Sequence, residues 1–168
     1  MKNVVLIGMP GVGKSTLGVL LAKALGYRFL DTDLVIQAQE GRLLREIIDQ
    51  EGIDGFLAIE SRACAQLQAD RSVIATGGSV IYEPEAMAHL KTLGPVVYLK
   101  LGRNALAKRL GSLKKRGVVL RPGQTFKDLY QERAPLYQQY ADITVDCGGQ
   151  DIPHALALTL QRLREAEK

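Results

Sequence analysis

The sequence predicts a three-layer α/β domain: a five-stranded parallel sheet covered by helices, with a helical lobe and a lid. Two observations predict it. Short β-rich runs recur along the 168 residues and alternate with helical patterns, as βαβ units do. The first run feeds directly into a glycine-rich loop of phosphate-binding spacing, and that loop opens a helix.

Strands are expected at Asn3–Ile7, Arg28–Leu30, Ser72–Ala75, Pro95–Lys100 and Ile143–Val145. The first contains the uninterrupted apolar run Val4–Ile7, as a strand covered on both faces requires. Helical spacing shows between them, as in Leu17-Leu20-Leu21-Ala24 and Leu156-Leu160-Leu163. Two segments break the alternation. Residues 35–69 carry no strand signal and read as two or three helices, broken at Gly41 and near Gly52–Gly55. They predict a lobe over about 34–69 that stands off the sheet. Residues 111–125 hold three glycines, a proline and several basic groups. That stretch is too polar for core and reads as a mobile flap, since loops of this length usually serve as lids. The chain, 1–168, is expected to be one domain.

Composition excludes several classes. The chain is 46% hydrophobic and 24% charged, ordinary values for a globular protein. No window approaches 18 uninterrupted apolar residues, so no transmembrane helix is read. Only the four apolar residues Val4–Ile7 follow the Met-Lys-Asn start, too few for a secretory signal core. Cys64 and Cys147 form no disulfide framework or metal spacing, and a cytoplasmic location is expected. The net charge of +4 is unevenly spread: residues 103–133 hold nine basic groups and two acids, while the remainder is −3. Such a local patch suits a small polyphosphate. With only Phe126 and Tyr130 as aromatics, it lacks the stacking platform of a single-strand binder. No nucleic-acid or membrane partner is expected, and a monomer is.

The strongest chemical signal is Gly8-Met9-Pro10-Gly11-Val12-Gly13-Lys14-Ser15, followed by Thr16. Its glycines let consecutive backbone N–H groups surround an anion, and the helix N-terminus adds its positive dipole end. Lys14 is expected to reach the β- and γ-phosphates, and the Ser15 hydroxyl to ligate Mg²⁺. The Asn/Thr-Lys-x-Asp signature of switch GTPases does not occur. Motor and transporter ATPases usually end an apolar strand with Asp-Glu; here the third strand ends Ala75-Thr76-Gly77-Gly78. That bare backbone suits close approach to a small ligand, or simply a tight turn.

The second strand ends Asp31-Thr32-Asp33. Alternation along an extended stretch puts both carboxylates on one side, at the ligand end of a parallel sheet. One could serve Mg²⁺ while the other takes an acceptor hydroxyl's proton; the alternative is a helix N-cap, notably for Asp33. Arg121 lies in the basic flap and supplies a cation for a charge-spread transition state, or is merely solvated. Arg133 and Arg109 admit the bland reading of surface helix residues. His89 and His154 have no sequence partners that suggest a ligand or base.

These residues resemble the shikimate kinase family over essentially the whole chain. The match comprises the phosphate loop, Phe29–Asp33, Gly41-Arg42, Phe56 with Ile59-Glu60, and Ala75–Gly78. It continues with Arg121-Pro122, Arg133–Tyr137, Ala141-Asp142 and Val145-Asp146. The resemblance implies a P-loop kinase fold like that of nucleoside-monophosphate kinases, with ATP and Mg²⁺ as cofactors and a small hydroxy acid as substrate. It implies nucleotide contacts from Gly11, Val12, Gly13, Lys14, Ser15 and Thr16, with Arg109 against adenine and Pro153 nearby. It also implies that Asp33 grips the acceptor hydroxyl and Asp31 orients magnesium. Gly77 and Gly78 would line the acceptor pocket, Arg133 bind the acceptor's carboxylate, and Arg121 be the lid arginine. Three departures fall on the acceptor side. Leu57 stands where the family usually has arginine, Ser79 ends a run of three glycines, and Gly123-Gln124 replaces two leucines.

The expected function is ATP-dependent phosphorylation of a small-molecule hydroxyl, shikimate to shikimate 3-phosphate. The alternatives are another small hydroxy acid or polyol as acceptor, and a nucleotide-binding regulatory protein without turnover. With one arginine left for a carboxylate, a raised KM for shikimate is expected, lowered by Leu57→Arg.

Overall fold

A computed structural model describes residues 2–110 and 118–168. Five strands, β1 (Asn3–Ile7), β2 (Arg28–Asp31), β3 (Ser72–Ala75), β4 (Val96–Lys100) and β5 (Ile143–Asp146), form one sheet in the order β2-β3-β1-β4-β5. Every pairing is parallel. β1 is central and buried at all five positions, as its continuous apolar run requires. Helices α1 (Lys14–Leu25), α4 (Pro84–Leu93), α5 (Arg103–Arg109), α6 (Phe126–Tyr140) and α7 (Ile152–Ala166) complete the main layers. Val4–Ile7 of β1 and Val96–Leu99 of β4 form the centre of the larger apolar cluster.

Helices α2 (Thr32–Glu40) and α3 (Leu44–Ala65) form the expected lobe. Gly41 ends α2 in a left-handed conformation, and α3 bends at Gly52, where the backbone leaves helical geometry. The lobe has its own apolar cluster, including Ile36, Ile47, Phe56 and Ile59, separate from that of the sheet.

Two expectations change. The extended stretch ends at Asp31: α2 begins at Thr32, and Asp31 caps it by accepting from the Asp33 N–H at 2.9 Å. The capping carboxylate is therefore Asp31, not Asp33. A carboxylate two residues ahead of an orphan N–H is the ordinary geometry for such a cap. The described part of the flap is also less polar in place than in sequence. Val119 is only 5% exposed and belongs to the lobe's cluster. Of the expected lid, residues 111–117 lie outside the described residues.

Candidate active site

The carboxyl ends of β1 and β3 are adjacent, and the loops leaving them form the floor of the site. The Thr76 hydroxyl donates to Leu6 O at 2.8 Å and ties the β3 loop to β1. The loop after β1 curls through Gly11 and Gly13, both with positive φ, and Gly13 precedes the first turn of α1. Glycine tolerates that left-handed backbone where other residues are strained. Lys14 folds back over the loop, its Nζ donating to Gly8 O at 2.7 Å and Met9 O at 3.0 Å. Burial pushes its pKa down to about 8, against the opposing pull of Asp33.

A cleft of about 480 Å³ opens over this loop. Gly11, Gly13, Lys14, Ser15 and Thr16 line it, with Asp31, Asp33 and Arg109. The Ser15 hydroxyl donates to Asp31 Oδ2 at 3.3 Å, so two hard oxygen donors meet at its rim. Arg109 donates from Nη1 to Val12 O at 3.2 Å, which holds the end of α5 on the loop. Val12 is 5% exposed and does not line the cleft. Pro153, exposed in the first turn of α7, does not line it either.

A second, smaller cavity lies on the lobe side and shares Pro10, Asp33, Gly77 and Gly78 with the cleft. Arg133 enters it from α6 and is 1% exposed. It donates from Nε to the Tyr82 hydroxyl at 3.3 Å and from Nη2 to Val119 O at 3.2 Å. Its guanidinium carbon lies 5.3 Å from the Tyr82 ring centre. Such a planar cation in a dry pocket suits a carboxylate. Gly77 and Gly78 form the floor with no side chain to spare. A Cβ on Gly77 would stand 2.7 Å from Asp33 Oδ1 and 2.9 Å from Glu60 Oε2, nearer than real contacts allow.

Asp33 sits at the shared wall. Its Oδ1 is buried and has no hydrogen-bond partner among the described residues. Burial, reinforced by Asp31 and opposed by Lys14, raises its pKa to about 6. The carboxylate is therefore ionised at neutral pH but close to the range useful for accepting a proton.

Two expected site residues stand elsewhere. Arg121 is exposed and pairs with Asp54 at 3.2 Å, lining a neighbouring cavity with Leu57, Glu83 and Glu132 rather than the phosphate-loop cleft. Leu57, 8% exposed, packs in the lobe's cluster and does not line the acceptor cavity. Ser79 lines the cavity, on the acceptor side where the sequence put it, whereas the contributions of Glu60 and Val119 were not read from the sequence. For Glu60 a signal was present: it lies on the Phe56-Ile59-Ala63 apolar face of α3, where an acid is out of place.

A phosphate loop, an ionisable acid and a second, arginine-bearing cavity sharing one wall define a P-loop small-molecule kinase. A family model described as shikimate kinase matches residues 10–164. Shikimate kinase 2 of Yersinia pseudotuberculosis serotype O:3 (strain YPIII) is 38% identical over 152 residues, 86% of each chain. Among solved structures, shikimate kinase from Aquifex aeolicus superposes with a TM-score of 0.83 at 28% identity, over 98% of both chains. Shikimate kinase from Acinetobacter baumannii, solved in complex with shikimate, gives 0.83 at 29% identity, covering 100% of this chain and 95% of that one. The chain belongs to the shikimate kinase family, whose members are ATP phosphotransferases acting on an alcohol.

Proposed function

We propose that this protein transfers the γ-phosphoryl group of ATP to the 3-hydroxyl of shikimate. The observation that carries the reading is the unpartnered Oδ1 of Asp33 on the wall common to the two cavities. A hydroxyl entering from the acceptor side meets that oxygen while it faces the nucleotide. The acceptor oxygen bonds to Pγ, its proton passes to Asp33, and the bond from Pγ to the bridging oxygen breaks to release ADP.

Such a transition state is loose and spreads charge over the equatorial oxygens, so positioned cations do most of the work. Lys14 is one, and it must exchange the Gly8 and Met9 carbonyls for phosphate oxygens. Those contacts keep the buried ammonium satisfied until nucleotide arrives. Arg133 holds the acceptor carboxylate away from the phosphates and orients the ring. Arg109 covers the nucleotide side. Ser15 and Asp31 fit Mg²⁺, an ion that takes hard oxygens, keeps several waters and needs few protein groups. When bound, it supplies charge neutralisation between the β- and γ-phosphates.

Arg121 serves as the lid cation only after leaving Asp54. Both partners are exposed, at 56% and 88%, and a pair of this kind contributes at most about 1 kcal/mol. Closure over a bound polyanion can readily offset that. Among the described residues no helix is long and apolar enough to cross a membrane. The test is coupled ADP release with shikimate, quinate and gluconate as acceptors, followed by mass analysis of the product. Shikimate-dependent ADP release with a phosphorylated product is expected. Release dependent on another hydroxy acid alone would move the acceptor, and nucleotide binding without any product would remove the enzyme reading.

A further inference from the structure

The acceptor cavity holds a buried acid that the transfer scheme does not use. Glu60 is 0% exposed. Its Oε1 accepts from the Ser79 hydroxyl at 2.8 Å, while Oε2 has no partner among the described residues. Ser79 is itself buried, and it is the one side chain in the Gly77-Gly78-Ser79 run. Glu60 Oε2 and Asp33 Oδ1 both press on the bare backbone of Gly77, within 2.9 Å of where a Cβ would stand. Two unsatisfied carboxyl oxygens therefore share one patch of cavity wall. Buried polar atoms are normally paired, so an orphan that faces a cavity marks where a ligand atom belongs.

We propose that Ser79 is a positioning residue for the acceptor: it pins Glu60 so that Oε2 stands beside Asp33 Oδ1, and the two carboxyls grip neighbouring hydroxyls of one polyhydroxy ring. This rests on the shikimate kinase reading and sharpens its acceptor side. A glutamate has three rotatable bonds, and the Ser79 hydroxyl selects the arrangement that aims Oε2 into the pocket. Burial favours the proton-bearing carboxyl of Glu60, against the hydrogen bond from Ser79; of the charged groups facing it, Asp33 and Glu83 reinforce that and Arg133 opposes it. Oε2 meets one hydroxyl while Asp33 Oδ1 meets the next. A ring with two adjacent hydroxyls fits that pair of oxygens; one lacking the second hydroxyl leaves Glu60 idle.

The test is steady-state kinetics of the full chain with ATP, Mg²⁺ and shikimate. Ser79→Ala should raise the KM for shikimate about 5–30-fold, the loss of one hydrogen bond to a carboxyl, with kcat and the KM for ATP within about 3-fold of wild type. Ser79→Gly in parallel guards against a packing effect of the alanine methyl. Glu60→Ala should raise the same KM, and Ser79→Ala combined with Glu60→Ala should be no worse than Glu60→Ala alone, because one residue acts through the other. With the shikimate analogue lacking the hydroxyl next to the reacting one, wild type and Ser79→Ala should match. Additive effects, an unchanged KM in both Ser79 variants, or an equal rise for the deoxy analogue would each overturn the proposal. If wild type uses another polyhydroxy acid instead, the shikimate reading falls, and the same KM comparisons on that acid decide for or against Ser79. If calorimetry finds no polyhydroxy acid bound, both fall.

Discussion

The two cavities that meet at Asp33 are built from opposite materials. Half of the nucleotide cleft's lining comes from one short stretch, residues 10–16, with Lys14 as its buried charge. The acceptor cavity is mainly side chains, gathered from α2, α3, the β3 loop, residues 118–119 and α6. It buries Glu60 and Arg133 completely or nearly so. A backbone cradle reads any polyphosphate and tolerates little change. A side-chain pocket can be retuned one residue at a time, and Ser79 is such a position. On the proposed function the division says where specificity resides: the cleft would supply the reaction and the lobe select its substrate.

The largest effect expected is on the cleft side. Lys14→Ala should lower kcat more than about 100-fold with any acceptor, since a positioned cation on the transferring phosphoryl contributes several kcal/mol. Near-normal turnover would mean the loop does not hold the reacting phosphates. On the acceptor side, Arg133→Ala should raise the KM for shikimate about 10–150-fold while leaving the KM for ATP near wild type. It should also lower stability by roughly 1–3 kcal/mol in urea titrations, because Tyr82 and the Val119 carbonyl lose a buried partner. An equal rise in both KM values would erase the distinction between the two cavities.

A subtler contrast lies in pH. Glu60 is raised from 4.5 to about 8 and Asp33 from 3.8 to about 6, both chiefly by burial. Between those limits the native state holds protons that the unfolded chain has released, so stability should fall as pH rises from about 4.5 to 8. Lys14, lowered from 10.5 to about 8 by burial, has the opposite sign, adding stability as pH rises above that value. Glu60→Gln should flatten the decline below pH 8 and leave the alkaline limb unchanged. Urea midpoints at pH 5, 7 and 9 check both halves; a decline as steep as wild type would show that Glu60 ionises freely in the fold. The smallest effect is expected for Leu57→Arg. The new guanidinium would face the cavity holding Glu83 and Glu132, not the acceptor cavity, so the KM for shikimate should change by less than about 3-fold. A larger drop would show that the lobe opens a path between the two cavities.

The strand runs were legible because each is short, apolar or β-branched, and bounded by turn residues. The lobe was legible through Gly41 and Gly52, which end one helix and bend the next. The phosphate loop was legible for the same reason it works: its chemistry needs consecutive residues. On the acceptor side Asp33, Gly77, Gly78 and Arg133 were legible, but the contact of Ser79 with Glu60 was not, because the two are 19 residues apart and meet only through packing of α3 on the β3 loop. Val119 looked like part of a polar flap because its neighbours are basic, whereas its burial comes from the lobe. Asp31 and Asp33 were recognised as a pair, but which one capped the helix depended on α2 starting two residues earlier than a cap at Asp33 implies.

The central claim is that Asp33 joins the two cavities by taking the acceptor's proton. Asp33→Asn tests it most directly, with kcat measured at pH 7 alongside ATP affinity by calorimetry. The amide keeps the shape but cannot accept that proton, so kcat should fall about 10²–10⁴-fold with ATP affinity nearly unchanged. Unchanged kcat with collapsed ATP affinity would contradict the account, exchanging the roles of Asp31 and Asp33.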